Sequence, residues 1–245
     1  MRETAGERRF LGMLTPSSNT VLEPITSAMV AEVPDVTAHF GRFRVTEISL
    51  GDAALDQFDD APMLDAAALL ADARVHAICW NGTSAGWLGF ERDVQLCRAI
   101  EARTGVTACS SVLALREIFA RTGVRRFGLV TPYLDDIQER TVATFEGAGF
   151  TCAAERHLGD KGNFSFSEVG EATIAAMCRE VAGTGVDAIT IFCTNLRGAP
   201  IVPTLEAELG VPIYDTVATA VWKSLKVAGV DPRHVRGWGR LFKLD

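Results

Sequence analysis

The strongest constraint on the fold is a repeat. Phe127-Gly128-Leu129-Val130-Thr131-Pro132 echoes Leu11-Gly12-Met13-Leu14-Thr15-Pro16, and Gly210-Val211-Pro212 entering Thr216-Val217 echoes Gly105-Val106-Thr107 entering Ser111-Val112. Between these echoes, Gly82-Thr83-Ser84 in the first half corresponds to Cys193-Thr194-Asn195 in the second. Three echoes in one order, at similar offsets, predict an internal duplication. Within each half, short apolar runs alternate with helical patterns, the signature of βαβ units. The expected fold is therefore α/β, with two pseudo-symmetric lobes, each a four-stranded parallel sheet flanked by helices, and an active-site cleft between them. The expected lobes are residues 1–120 and 121–216, with 217–245 returning to the first.

Along the chain, Arg9 to Leu14 reads as a strand, Thr15-Pro16-Ser17-Ser18-Asn19 as a polar loop, and Val21 to Val33 as an amphipathic helix. Thr20 and Glu23 are spaced as a capping box. The loop has two readings. A helix N-terminus offers unpaired N–H groups to a carboxylate, and Asn19 is equally suited to close an Asx turn on itself. Val36 to Val45 alternates as a strand. Thr46 to Pro62, rich in Asp and Gly, is long enough for a lid ahead of a helix at Met63 to Ala73. Val75 to Trp80 is the next strand, Asn81 to Gly86 its turn and Trp87 to Arg103 a helix; Val106 to Cys109 then leads into a helix over Val112 to Thr122. In open parallel sheets ligands bind beyond the carboxyl ends of the strands. That rule gathers Ser17 to Asn19, Gly82 to Ser84, Tyr133 and Cys193 to Asn195 on facing edges.

Bulk properties narrow the partners. The 245 residues are 48% hydrophobic, enough for ordinary buried cores, and the 24 Lys and Arg against 31 Asp and Glu leave a net charge of -7. Such a chain lacks the basic surface that nucleic acid or anionic lipid requires, so a small molecule is the expected partner. The opening MRETAGERRF is too charged for a signal peptide, and no run reaches the ~18 apolar residues of a membrane span. A cytoplasmic location is expected.

Six cysteines, Cys79, Cys97, Cys109, Cys152, Cys178 and Cys193, are scattered without a CxxC pair, so neither a disulfide framework nor a zinc knuckle is indicated. Five read as buried core residues. Cys193 differs: it ends the apolar run Ala188 to Phe192 in front of a polar turn and a helix opening near Pro200. A helix N-terminus or a neighbouring cation lowers a thiol pKa, which suits a nucleophile or proton shuttle. His39, His76, His157 and His234 sit in unrelated contexts, which disfavours a thiol-protease arrangement. Proton transfer beside a carboxylate needs an acid or base at the carbon and donors for the enediolate, and Thr83, Ser84, Tyr133 and the N–H groups of the two turns supply donors. Gly82-Thr83-Ser84-Ala85-Gly86 lacks a P-loop lysine and is too short for a nucleotide fingerprint, so chemistry without a cofactor or metal is the simpler expectation.

These duplicated halves, with a Gly-Thr-Ser turn in one and a Cys-Thr-Asn turn in the other, resemble the aspartate/glutamate racemase superfamily, in particular its branch of arylmalonate decarboxylases and maleate cis-trans isomerases. The resemblance spans nearly the whole chain. It implies a two-lobed α/β enzyme without metal or organic cofactor; homo-oligomers also occur among such proteins. Racemases of the superfamily use one cysteine from each lobe, whereas here Gly82 stands at the first position. Glycine followed by Thr-Ser is similar to the decarboxylases, which implies Cys193 as the acid that protonates the enediolate, with Thr83, Ser84, Tyr133, Thr194 and Asn195 holding the carboxylate. Thr131-Pro132-Tyr133-Leu134-Asp135-Asp136 fits the same pattern. Pro16-Ser17-Ser18-Asn19-Thr20 and Gly162-Asn163-Phe164 resemble instead the carboxylate-binding loops of the isomerases, which implies Ser17, Asn19 and Asn163 as substrate-binding residues. The implied activity is cofactor-independent decarboxylation of a small dicarboxylate, with isomerisation of a maleate-like diacid, or carboxylate binding without turnover, as alternatives. Pocket size is expected to depend on Trp87, Phe164 and the Thr46 to Pro62 loop.

Overall fold

The computed structural model describes residues 8–48 and 60–245. Residues 49–59, the larger part of the segment expected to form a lid, lie outside that description.

The two halves build two separate four-stranded sheets. In the first, β1 (Arg9–Pro16), β2 (Val36–Phe43), β3 (Ala77–Trp80) and β4 (Ala108–Ser110) are ordered β2-β1-β3-β4. In the second, β5 (Arg126–Thr131), β6 (Thr151–His157), β7 (Ala188–Ile191) and β8 (Ile213–Asp215) are ordered β6-β5-β7-β8. All pairings are parallel. The central strands β3 and β7 are buried at every position, as continuous apolar runs covered on both faces should be. Register makes the repeat physical: Leu14 lies opposite Trp80 and Trp80 opposite Ser110, while Val130 lies opposite Ile191 and Ile191 opposite Asp215. Trp80 is thus the counterpart of Ile191, and two residues further on Gly82 is the counterpart of Cys193.

The connecting helices are α1 (Leu22–Val30), α2 (Asp60–Asp72), α3 (Ala85–Leu88), α4 (Phe90–Thr104), α5 (Ser111–Thr122), α6 (Asp135–Gly147), α7 (Glu171–Ala182), α8 (Val202–Leu209) and α9 (Thr216–Val227). The single helix expected from Trp87 to Arg103 is broken, because Gly89 takes φ +94° between α3 and α4, a conformation open to glycine at little cost. The helices after the last strand of each sheet cross over. Phe119 of α5 packs its ring on Phe127, Phe145, Phe150 and Tyr214 of the second half. Helix α9 packs on β3, β4 and α1 of the first half and on α5. Matching caps start both: the Ser110 hydroxyl accepts from Leu113 N, and the Asp215 carboxylate accepts from Val217 N and Ala218 N. The exchange sews the two sheets together with their strand ends facing a common seam.

Candidate active site

At that seam, the turns after β3 and β7 meet the loops after β1 and β5 around a small cavity. Its volume is about 20 Å³, room for about one water. One side is polar, formed by Thr83, Ser84, Tyr133, Asn163, Cys193 and Thr194; the other is apolar, formed by Pro16, Val45, Ile48, Trp80 and Trp87, with Gly82 between them. Larger grooves lie elsewhere on the surface. One runs past Arg116 and Phe150, a second past Glu139, Glu146, Glu155 and His157, where charge repels a carboxylate, and a third past Glu206, Arg240 and Lys243, none of them with a thiol; a fourth holds Cys97 and Cys109 beside Glu117 and Lys223.

Of the six cysteines, all unpaired, Cys193 alone lines the cavity. The sulfur accepts a hydrogen bond from Asn195 N at 3.4 Å and faces the Tyr133 hydroxyl. Burial pushes the thiol up to about 12, against smaller downward pulls from the Asn195 N–H and Tyr133 O–H; Asp215 raises it further. The lowered thiol pKa expected from the sequence is therefore reversed. The turn does precede a helical segment, which opens as a 3-10 turn at Ala199 and continues as α8 from Val202, but that opening lies more than a turn beyond Cys193, outside the reach of a helix terminus. A thiol held up in this way keeps its proton at neutral pH. Tyr133 is wedged between Trp87 and Phe166, with ring centroids at 5.2 and 5.8 Å. Its hydroxyl meets Thr83 Oγ1 at 2.5 Å, joining the two lobes inside the cavity.

Further ties cross the seam behind the cavity wall. Asn195 Oδ1 accepts from Thr20 N at 3.0 Å and Val21 N at 3.3 Å, and Asn195 Nδ2 donates to Asn163 O at 2.5 Å. Asn19 Oδ1 accepts from Val21 N and Leu22 N, while Asn19 Nδ2 donates to Thr194 Oγ1 at 3.2 Å. Thr194 Oγ1 donates in turn to Asn81 O at 2.9 Å. The N–H groups that open α1 are thus taken by two side-chain carbonyls, so of the two readings of this loop the Asx turn is the one that forms. No side-chain cap from Thr20 is present on α1. Ser17 Oγ is engaged with Val45 N and O. Ser17, Asn19 and Asn195, expected to bind substrate, accordingly stand behind the cavity lining as ties, whereas Gly82, Thr83, Ser84, Tyr133, Asn163, Cys193 and Thr194 reach it.

A family model described as arylmalonate decarboxylase matches residues 18–242. The chain belongs to the arylmalonate decarboxylase family. It is 28% identical over 244 residues to a maleate isomerase of Nocardia farcinica, covering 97% of this chain and 96% of that protein. It is 26% identical over 235 residues to an arylmalonate decarboxylase of Bordetella bronchiseptica, covering 95% of each. Among solved structures, a cysteine variant of the Nocardia farcinica maleate cis-trans isomerase with a covalently bound succinylcysteine intermediate superimposes with a TM-score of 0.89, at 24% identity, over 98% of this chain and 100% of that one. That likeness confirms the two-sheet fold.

Within this arylmalonate decarboxylase family member, the sequence reading missed Trp80. Its indole ring lies where a Cβ on Gly82 would stand, in contact with that position through Cζ2, Cη2 and Cε2. The signal was available, since side chains two apart on an extended chain point the same way. Cys79 turns away from the cavity: it is fully buried and faces Cys109 and Ser224. Phe164 is 54% exposed and does not line the cavity. No histidine lines it either, and His157 is held by Glu155 and Asp135. Among the described residues no group of three or more His, Cys, Asp or Glu is placed to hold a metal, and no helix is long and apolar enough to cross a membrane.

Proposed function

We propose that the protein is a cofactor-independent decarboxylase of a small substituted malonate, with Cys193 as its acid. The observation that carries this reading is a cavity with a single thiol, protonated by its burial, facing a glycine. Thr83, Ser84, Tyr133, Asn163 and the Thr194 backbone N–H hold one carboxylate through neutral donors, in a cavity that must widen beyond its present volume of about 20 Å³ to admit the substrate. The other carboxylate rests toward Pro16, Val45 and Ile48, where it loses hydration that departing carbon dioxide does not need. The C–C bond breaks, its electron pair enters an enediolate held by the same donors, and the Cys193 Sγ–H proton moves to the carbon. The thiolate left behind recovers a proton from water. A donor aimed at the developing oxyanion contributes a factor of about 10² to 10³.

Isomerisation of a maleate-like diacid is the second reading, favoured by the similarity to the Nocardia farcinica enzyme. A covalent succinylcysteine persists there although one cysteine has been replaced, so the attacking sulfur is a different one. Here the cavity offers one sulfur, and Gly82 has none. The six unpaired cysteines support a reducing, cytoplasmic setting. Supplying the purified protein with phenylmalonate and, separately, with maleate decides between the readings. Carbon dioxide release from the first, with unchanged absorbance of the second, is expected; the reverse pattern replaces decarboxylation with isomerisation.

A further inference from the structure

Trp80 is fully buried, 1% exposed, at the end of β3, and its ring has Phe43 at 5.3 Å between centroids. Its outer edge fills the space above Gly82 and forms part of the cavity wall. A methyl group at residue 82 is excluded by that ring, because a buried indole wedged in place is not the free end of a flexible side chain. We propose that Trp80 and Gly82 act as one unit that determines specificity: the indole takes the volume of a first-lobe side chain, denies that lobe an acid–base group, and sets the size of the apolar wall that the substrate's substituent meets. The pairing has no counterpart in the second half, where the residue matching Trp80 is the smaller Ile191 and the one matching Gly82 bears a side chain. One-sided proton delivery then follows from packing as well as from the missing sulfur. The wall half of this inference rests on the decarboxylase reading, while the packing half does not.

Two readouts separate these halves. The first is a stability cycle with Gly82→Ala made in the parent and in Trp80→Leu, followed by thermal denaturation. In the parent, the added methyl should lower Tm by roughly 5 °C or more; in the Trp80→Leu background it should cost less than half as much, since the opposing ring is gone. Equal losses in both backgrounds, or no loss in the parent, overturn the pairing. Should Trp80→Leu fail to fold, Trp80→Phe supports the same comparison. The second readout is selectivity between phenylmalonate and 2-naphthylmalonate. Trp80→Leu should raise the ratio of kcat/KM in favour of the larger compound on the order of tenfold, and a ratio unchanged within twofold overturns the wall. If neither compound turns over, the decarboxylase reading fails, and calorimetric binding of the same two probes gives the ratio that decides the wall.

Discussion

Replacing Asn195 by alanine tests how the two lobes are held at the cavity. The side chain accepts from Thr20 N and Val21 N and donates to Asn163 O at 2.5 Å, so it is the hub of the seam. Val21 N keeps a second acceptor in Asn19 Oδ1, and Thr20 is exposed enough for water to reach. The carbonyl of Asn163, in a residue only 5% exposed, has no such relief. Leaving one buried acceptor unpaired costs about 1–3 kcal/mol and each further lost bond about 1 kcal/mol, so the substitution should destabilise by about 2–4 kcal/mol. For a chain of this size that is a fall in Tm of roughly 4–16 °C. Because Asn163 lines the cavity, KM for a dicarboxylate should also rise. Asn195→Asp keeps the acceptor for Thr20 N but sets a carboxylate against the Asn163 carbonyl, and should be no more stable than the alanine variant. Thermal and urea denaturation of both variants measure the effect. A Tm within about 1 °C of the parent refutes the claim that this residue ties the lobes, since no mutation of a buried hub is that cheap.

Two further outcomes follow from groups in or behind the cavity. Tyr133→Phe removes both the 2.5 Å bond to Thr83 and the donor facing Cys193. Steady-state kinetics should show kcat reduced about 10²-fold with KM changed far less; an unaltered kcat removes Tyr133 from the chemistry. Asp93, fully buried and with neither oxygen in a well-formed hydrogen bond, is pushed by burial from 3.8 up to about 7, only partly offset by the nearby Ser110 hydroxyl, Arg92 charge and Trp80 indole. The folded protein keeps this proton between about pH 4 and 7 while the unfolded chain releases it, so stability falls as pH rises through that window, by at most about 4 kcal/mol for this group. Asp93→Asn should flatten part of the decline in Tm; Asp215, also pushed up to about 7, and Glu206, raised by burial, contribute in the same direction. A decline of unchanged steepness in the variant contradicts the assignment.

The duplication, the alternation of strands and helices and the strand-end position of Cys193 were legible because they depend on local patterns: apolar runs, turn residues and repeated offsets. That Thr83, Ser84 and Tyr133 would reach the cavity was legible for the same reason, each following a strand end. What escaped the sequence depends on contacts between distant segments. Asn19 and Thr194 are 175 residues apart, and nothing local to the first loop shows that another asparagine, Asn195, will occupy its N–H groups. The charge state of Cys193 escaped for a related reason: a strand end before a helix suggests a lowered pKa, and only the packing of both lobes over the sulfur makes desolvation prevail. Trp80 read as the last apolar residue of a strand, and its role appears only when its ring is seen to lie over Gly82.

The most direct test of the account is Cys193→Ala, assayed on 2-methyl-2-phenylmalonate alongside the parent, with thermal denaturation of both. The parent should release carbon dioxide and yield one enantiomer of 2-phenylpropionate, because a lone sulfur delivers the proton from one side. The variant should keep its Tm within a few degrees and lose turnover by a factor on the order of 10³. A folded variant that still turns over at the parental rate, or a parent that yields racemic product, contradicts the assignment of Cys193 as the acid.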